Sequence, residues 1–218
     1  MPLPDDLLAS LPVDRGVVGV HIGIHWTTVG LAEGPNGEPA RWGMAKTLLP
    51  EERPGHRHEH ASGSVAKAGT LQTCTAHELA ALALSHSGPE QSVGWAAINA
   101  LNAPDESRCV ELNAGDFLLE RGQGKRVVVV GHFPFVRQLR PVVDELWVLE
   151  LNPAPGDTPA GAAPEVVPQA DVVAVTSLTL LNGTFGGLAG LWRGRPTGLP
   201  LRAPAPVSPP LVCFRGHH

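Results

Sequence analysis

Four consecutive valines, Val127, Val128, Val129 and Val130, run into Gly131, and this short stretch constrains the fold more than any other part of the chain. β-Branched side chains suit a pleated strand better than a helix. A strand that is apolar at every position must be buried on both faces, which is the condition of a parallel sheet covered by helices. The residues that follow agree with this. Pro134 fits the first turn of a helix that must stop by Pro141; residues 145–149 read as a second strand and 171–175 as a third. Residues 178–191 read as a helix weakened by Gly183, Gly186 and Gly187. Strands alternating with helices make a parallel α/β domain. The Pro-rich stretches 153–168 and 196–210 read as surface loops.

The front of the chain has a different pattern. Residues 15–32 are rich in Val, Ile and Thr, with glycines at 16, 19, 23 and 30, and read as a hairpin or a bent strand pair. Asn36-Gly37 is a turn signal, after which 41–48 returns as a third strand. Thr75-Ala76-His77-Glu78 has the form of a capping box and opens a helix that ends near Ser87-Gly88-Pro89; a second helix covers 90–101 and stops before Asn102-Ala103-Pro104. A meander followed by helices is an α+β unit. The boundary falls within 105–124, dividing the chain into domains 1–110 and 111–218, and there is no internal repeat.

Composition narrows the function. With 218 residues, 43% hydrophobic and 17% charged, the chain can fill one large core or two small ones. A formal net charge of −5 gives no footprint for a phosphate backbone, so nucleic acid is not an expected partner. No apolar run approaches the ~18–20 residues that span a bilayer, so no membrane is expected either. The start Met1-Pro2-Leu3-Pro4-Asp5-Asp6 lacks the basic and apolar regions of a secretory signal, and the expectation is a cytoplasmic protein. Cys74, Cys109 and Cys213 form no CxxC pair and read as reduced thiols; there is no tyrosine. Gly131-His132-Phe133-Pro134-Phe135-Val136 has one glycine where a dinucleotide fingerprint needs three, so neither a nicotinamide nor a flavin is expected.

In an open parallel sheet, ligands gather beyond the carboxyl ends of the strands. The first predicted strand delivers Gly131, His132 and Phe133 there. The second delivers Glu150 and Asn152 with Asp157 in the next loop, and the third Thr176, Ser177 and Thr179 with Asn182 one turn on. Thr176 or Ser177 serves equally as a helix cap. His132 suits an anion or, as neutral imidazole, a metal. His56, His58 and His60, about 6.5–7 Å apart if extended, could chelate a metal only if the chain bends, and otherwise read as a solvated loop. His21 and His25, about 13 Å apart on one strand face, cannot share an ion and read as core or interface residues. Glu78 is either the partner of Thr75 in the cap or a cleft carboxylate. Asn99, the one polar residue in an apolar helix, is either satisfied in the core or turned into a site. Residues 172–218 carry Arg193, Arg195, Arg202 and Arg215 and no acid, a local excess that suits an anionic partner and is equally a chance cluster.

Several of these stretches resemble the heavy-metal chelation family, in which an enolase N-terminal-like domain precedes a Rossmann-like domain. Ile22-Gly23-Ile24-His25-Trp26-Thr27 and Gly94-Trp95-Ala96-Ala97-Ile98-Asn99-Ala100-Leu101 are similar to its front domain. Residues 130–136, Leu149-Glu150-Leu151-Asn152-Pro153 with Gly156-Asp157, and Thr179-Leu180-Leu181-Asn182-Gly183-Thr184 are similar to its second. The chain departs from the family at 202–209, where a Gly-Pro-Ser/Thr-like loop would stand, and soon after 211–216, so the expectation is either a shortened second domain or an altered tail. The resemblance implies a cleft between the domains lined by Asn99, His132, Glu150, Asp157, Thr179 and Asn182. The reading is a cytoplasmic protein that binds a small ligand or a heavy metal in that cleft, with His132, Glu150 and Asp157 as ligands of a divalent transition metal. The alternative is an enzyme acting on a small anionic metabolite, with Glu150 or Asp157 as base and His132 as acid or ligand.

Overall fold

The structure, a computed structural model, describes residues 7–48, 65–102 and 112–192, and the backbone of Leu211–Phe214. His56, His58 and His60, the loop 196–210 and the four late arginines lie outside the described residues. The chain divides into two compact units. Among the described residues the first takes in those up to 102 with Leu180–Gly183, and the second takes in 112–179, 184–192 and 211–214.

In the first unit β1 (Val17–Ile22), β2 (Trp26–Leu31) and β3 (Arg41–Lys46) form an antiparallel sheet in that order. Alternation along β2 buries Thr27, Val29 and Leu31, while Trp26 on the other face is exposed. Two helices follow, α1 (Ala76–Ala81) and α2 (Gly88–Leu101). α2 is apolar almost all round and correspondingly buried. Gly43 lets it lie directly on β3, since a Cβ there would collide with the backbone of Ala96 and Ala100. The capping box is present in both directions, so Glu78 is the partner of Thr75: its Oε2 accepts the Thr75 N–H at 2.8 Å and Thr75 Oγ1 accepts the Glu78 N–H at 3.2 Å. His21 and His25 are exposed, which removes the core alternative of the two expected for them. A glycine trough at Gly19 and Gly30 seats the Trp42 ring, and His21 stacks on that ring at 5.6 Å.

The second unit is a five-stranded sheet, built from β4 (Arg126–Val130), β5 (Glu145–Glu150), β6 (Thr158–Pro159), β7 (Val172–Val175) and β8 (Leu211–Phe214). Its order is β6-β5-β4-β7-β8: the three expected strands β4, β5 and β7 are parallel, as is β6, and β8 adds an antiparallel strand on the edge. The valine run does what its composition requires. Val127 and Val129 pack on one face with Leu118, Val136, Leu139 and Val148, and Val128 packs on the other with Leu149, Ala163, Val166 and Val173.

The helices depart from expectation in four places. α3 (Ala114–Gly122), capped by Asn113 Oδ1 on the N–H of Gly115 and Asp116 at 2.8 and 3.2 Å, precedes β4 and was not foreseen. The helix after β4 is only α4 (Val136–Leu139). The 153–168 stretch holds β6 and α5 (Ala163–Val166), because Ala163, Val166 and Val167 are buried against the sheet. The predicted helix 178–191 is two, α6 (Leu178–Leu181) and α7 (Phe185–Leu191), broken where Gly183 takes φ +75°.

Candidate functional site

The order β6-β5-β4-β7 means that the chain builds outward from β4 on one side, then returns to add β7 on the other. The point of return, between the carboxyl ends of β4 and β7, is the topological switch of a doubly wound sheet, the place where sheets of this kind bind ligands. Gly131 and His132 leave β4 there, and Thr176 leaves β7. Gly131 has φ +102°, and a Cβ on it would stand 3.2 Å from Thr176 Cγ2 and 3.3 Å from the Phe133 ring. Only glycine lets the two strand ends approach this closely.

His132 is held by two acids from elsewhere in the sequence. Its backbone N–H donates to Glu150 Oε1 at 2.6 Å, and its Nδ1 lies 3.2 and 3.3 Å from the two carboxylate oxygens of Asp157. The His132 side chain is 50% exposed and that of Asp157 only 2%, so the ring is open to solvent while the carboxylate at its Nδ1 is buried. Asp157 is itself placed by a turn. Its N–H donates to the Ala154 carbonyl at 2.9 Å, and its Oδ2 accepts the Ala154 N–H at 3.1 Å. Gly156 at φ +92° makes that turn, and Arg140 Nη2 holds the Gly156 carbonyl at 3.1 Å. Arg140 carried no sequence signal, since the contact spans sixteen residues and joins a side chain to a main-chain oxygen.

The other candidates are placed differently. Thr176 and Thr179 are spent locally: Thr176 Oγ1 accepts the Leu178 N–H at 3.3 Å, and Thr179 Oγ1 donates to the Thr176 carbonyl at 2.7 Å. Phe133 stacks on Phe135 at 5.0 Å, and both pack against the core. Asn152 is exposed. Asn99 and Asn182 belong to the first unit, where Asn99 Nδ2 donates to the Met44 carbonyl at 2.8 Å.

Chemically, this edge gathers one imidazole and two carboxylates, with Arg140 beside the turn. Such a setting favours a cation over an anion. A histidine that gives one ring nitrogen to a carboxylate and keeps the other for a ligand is the usual arrangement around bound metals. His132, with Glu150 beside it, therefore fits as part of a ligand set. Among the described residues no group of three or more His, Cys, Asp or Glu is placed to hold a metal ion.

The chain shares its fold with a protein of unknown function from the DUF364 family of Desulfitobacterium hafniense (24% identity, TM-score 0.68). A DUF364 protein of unknown function from Pyrococcus horikoshii is as similar (22% identity, TM-score 0.68). Each alignment covers 88% of this chain and 73% of the other. No curated protein matches the chain. Two family models, DUF4213 over residues 5–102 and DUF364 over residues 113–199, match it in tandem, each described as "Putative heavy-metal chelation". With the first match in the front part of the chain and the second over the sheet that carries His132, this chain belongs to the family that both models describe as "Putative heavy-metal chelation".

Proposed function

We propose that this protein binds a divalent transition metal, free or carried by a small molecule, at the carboxyl edge of the second unit's sheet. His132 is the principal donor and Glu150 lies within the same site. The observation that supports the reading is the half-exposed His132 ring seated on the buried Asp157 carboxylate. Neutral imidazole with carboxylate oxygen suits borderline divalent ions. The family description points the same way. The test is titration calorimetry with zinc, nickel and cobalt, using protein lacking His217 and His218 so that the chain end adds no imidazole. His132→Ala is expected to weaken binding at least about tenfold. Equal affinities in the two proteins, or no binding in either, would overturn the proposal.

The same pair favours a second reading, an enzyme in which His132 is a general base and Asp157 its orienting carboxylate. Turnover of a co-purifying small metabolite that survives chelator treatment and is lost in His132→Ala would favour it over metal binding.

A further inference from the structure

Asp157 is an unusual residue to find inside a protein surface. Its side chain is 2% exposed, and a buried carboxylate is costly unless its oxygens are hydrogen-bonded. Both of its oxygens have partners, the Ala154 N–H and the Nδ1 of His132. The turn that carries it is secured separately by Gly156 and Arg140. An ionised carboxylate can only accept, so the proton between the two side chains belongs to His132 Nδ1. Neutral imidazole has a single N–H, and with that proton on Nδ1 the lone pair must be on Nε2. Glu150 meanwhile holds the main-chain N–H of the same residue, and turning the ring over would break its contact to Asp157.

We infer that Asp157 is a positioning residue and not a ligand: it fixes His132 as the Nδ1–H tautomer and so presents an Nε2 lone pair at the sheet edge before any ligand arrives. This rests on the reading of His132 as the donor and refines it. It assigns Asp157 a place behind the ring, where the sequence expectation made it a third metal ligand. It also names the class of ligand, an electron-pair acceptor such as a borderline divalent metal, which an anion cannot replace.

Two measurements test this, and the first needs no metal. In the metal-free protein with ¹⁵N-labelled histidine, long-range imidazole correlations should show His132 protonated at Nδ1, the signal being assigned by its disappearance in His132→Gln. An Nε2–H tautomer overturns the inference. In the second, Asp157→Asn should lower cobalt(II) affinity about 10- to 100-fold while leaving the visible spectrum of the bound cobalt unchanged, because the donor atoms are the same. A changed spectrum makes Asp157 a ligand and also overturns it. If no metal binds either protein, the metal reading fails by itself and the tautomer still decides the role of Asp157. If Asp157→Asn does not fold, the tautomer in the unmodified protein decides it as well.

Discussion

Single residues in this protein are constrained where two segments must come closer than a side chain allows. At Gly131 the backbone adopts φ +102° with Thr176 against it, so Gly131→Ala adds both conformational strain and a contact at 3.2 Å. The expected cost is about 1–3 kcal/mol, measured as a lower urea midpoint with an unchanged slope. Metal affinity should fall as well, because His132 is the next residue. Arg15 shows the opposite constraint, a side chain needed because main chain would otherwise be unsatisfied. It is 7% exposed, and its Nη2 donates to the carbonyls of Ala32, Pro39 and Glu38. Sequence spacing announces neither role: Gly131 was visible only as one glycine too few for a dinucleotide loop, and Arg15 as the start of a strand-rich segment.

At the level of elements, the amino end of α1 shows how local and distant residues share one task. Thr75 and Glu78 close the capping box, which four letters of sequence predict. The remaining N–H groups are met by a segment sixty residues earlier: the Arg15 carbonyl accepts from Ala76 at 3.0 Å, and Asp14 Oδ1 accepts from His77 at 2.9 Å. Burial pushes the Asp14 carboxyl up. The Thr75 hydroxyl, the N–H groups of His77 and Arg15 and the His77 charge outweigh that and hold it below the ordinary aspartate value. A carboxyl depressed in the folded state adds stability above its unfolded value of about 3.9 and loses it as pH falls through the folded value. Asp14→Asn should therefore cost about 1 kcal/mol near neutral pH, as loss of an N-terminal cap does. In urea titrations the gap between the two proteins should narrow only below about pH 4. The late helices show where element prediction stops. Hydrophobic spacing across 178–191 is continuous, and the break at Gly183 depends on a left-handed backbone that glycine permits but does not announce.

Across the whole molecule, the two edges of the second unit's sheet do different work. At the amino edge, Arg126 Nη2 and Nε meet the Asp171 carboxylate at 3.2 Å each, and the Arg126 N–H donates to it at 3.0 Å, tying β4 to the start of β7. Asp171 raises the Arg126 guanidinium above its ordinary value. Asp171→Asn is expected to lower the melting temperature while leaving cobalt affinity unchanged, which calorimetry of both kinds checks. A loss of affinity would mean that the edges are not independent. The strands β4, β5 and β7, the meander, the capped helix and the polar strand ends were legible in the sequence. They depend on local quantities: side-chain branching, the alternation of apolar residues, and turn and cap residues a few positions apart. The antiparallel edge strand, the structured 153–168 segment and the seat of His132 were not legible. Strand order, the burial of Ala163 and Val166, and the meeting of His132 with Asp157 across twenty-five residues depend on which surfaces the sheet offers once formed. Sequence thus determined which residues reach the carboxyl edge, because a strand's end is set by its own composition. Tertiary structure alone decided that one carboxylate holds the main chain of His132 while another meets its ring Nδ1, because hydrogen-bond geometry depends on distances that no sequence spacing encodes.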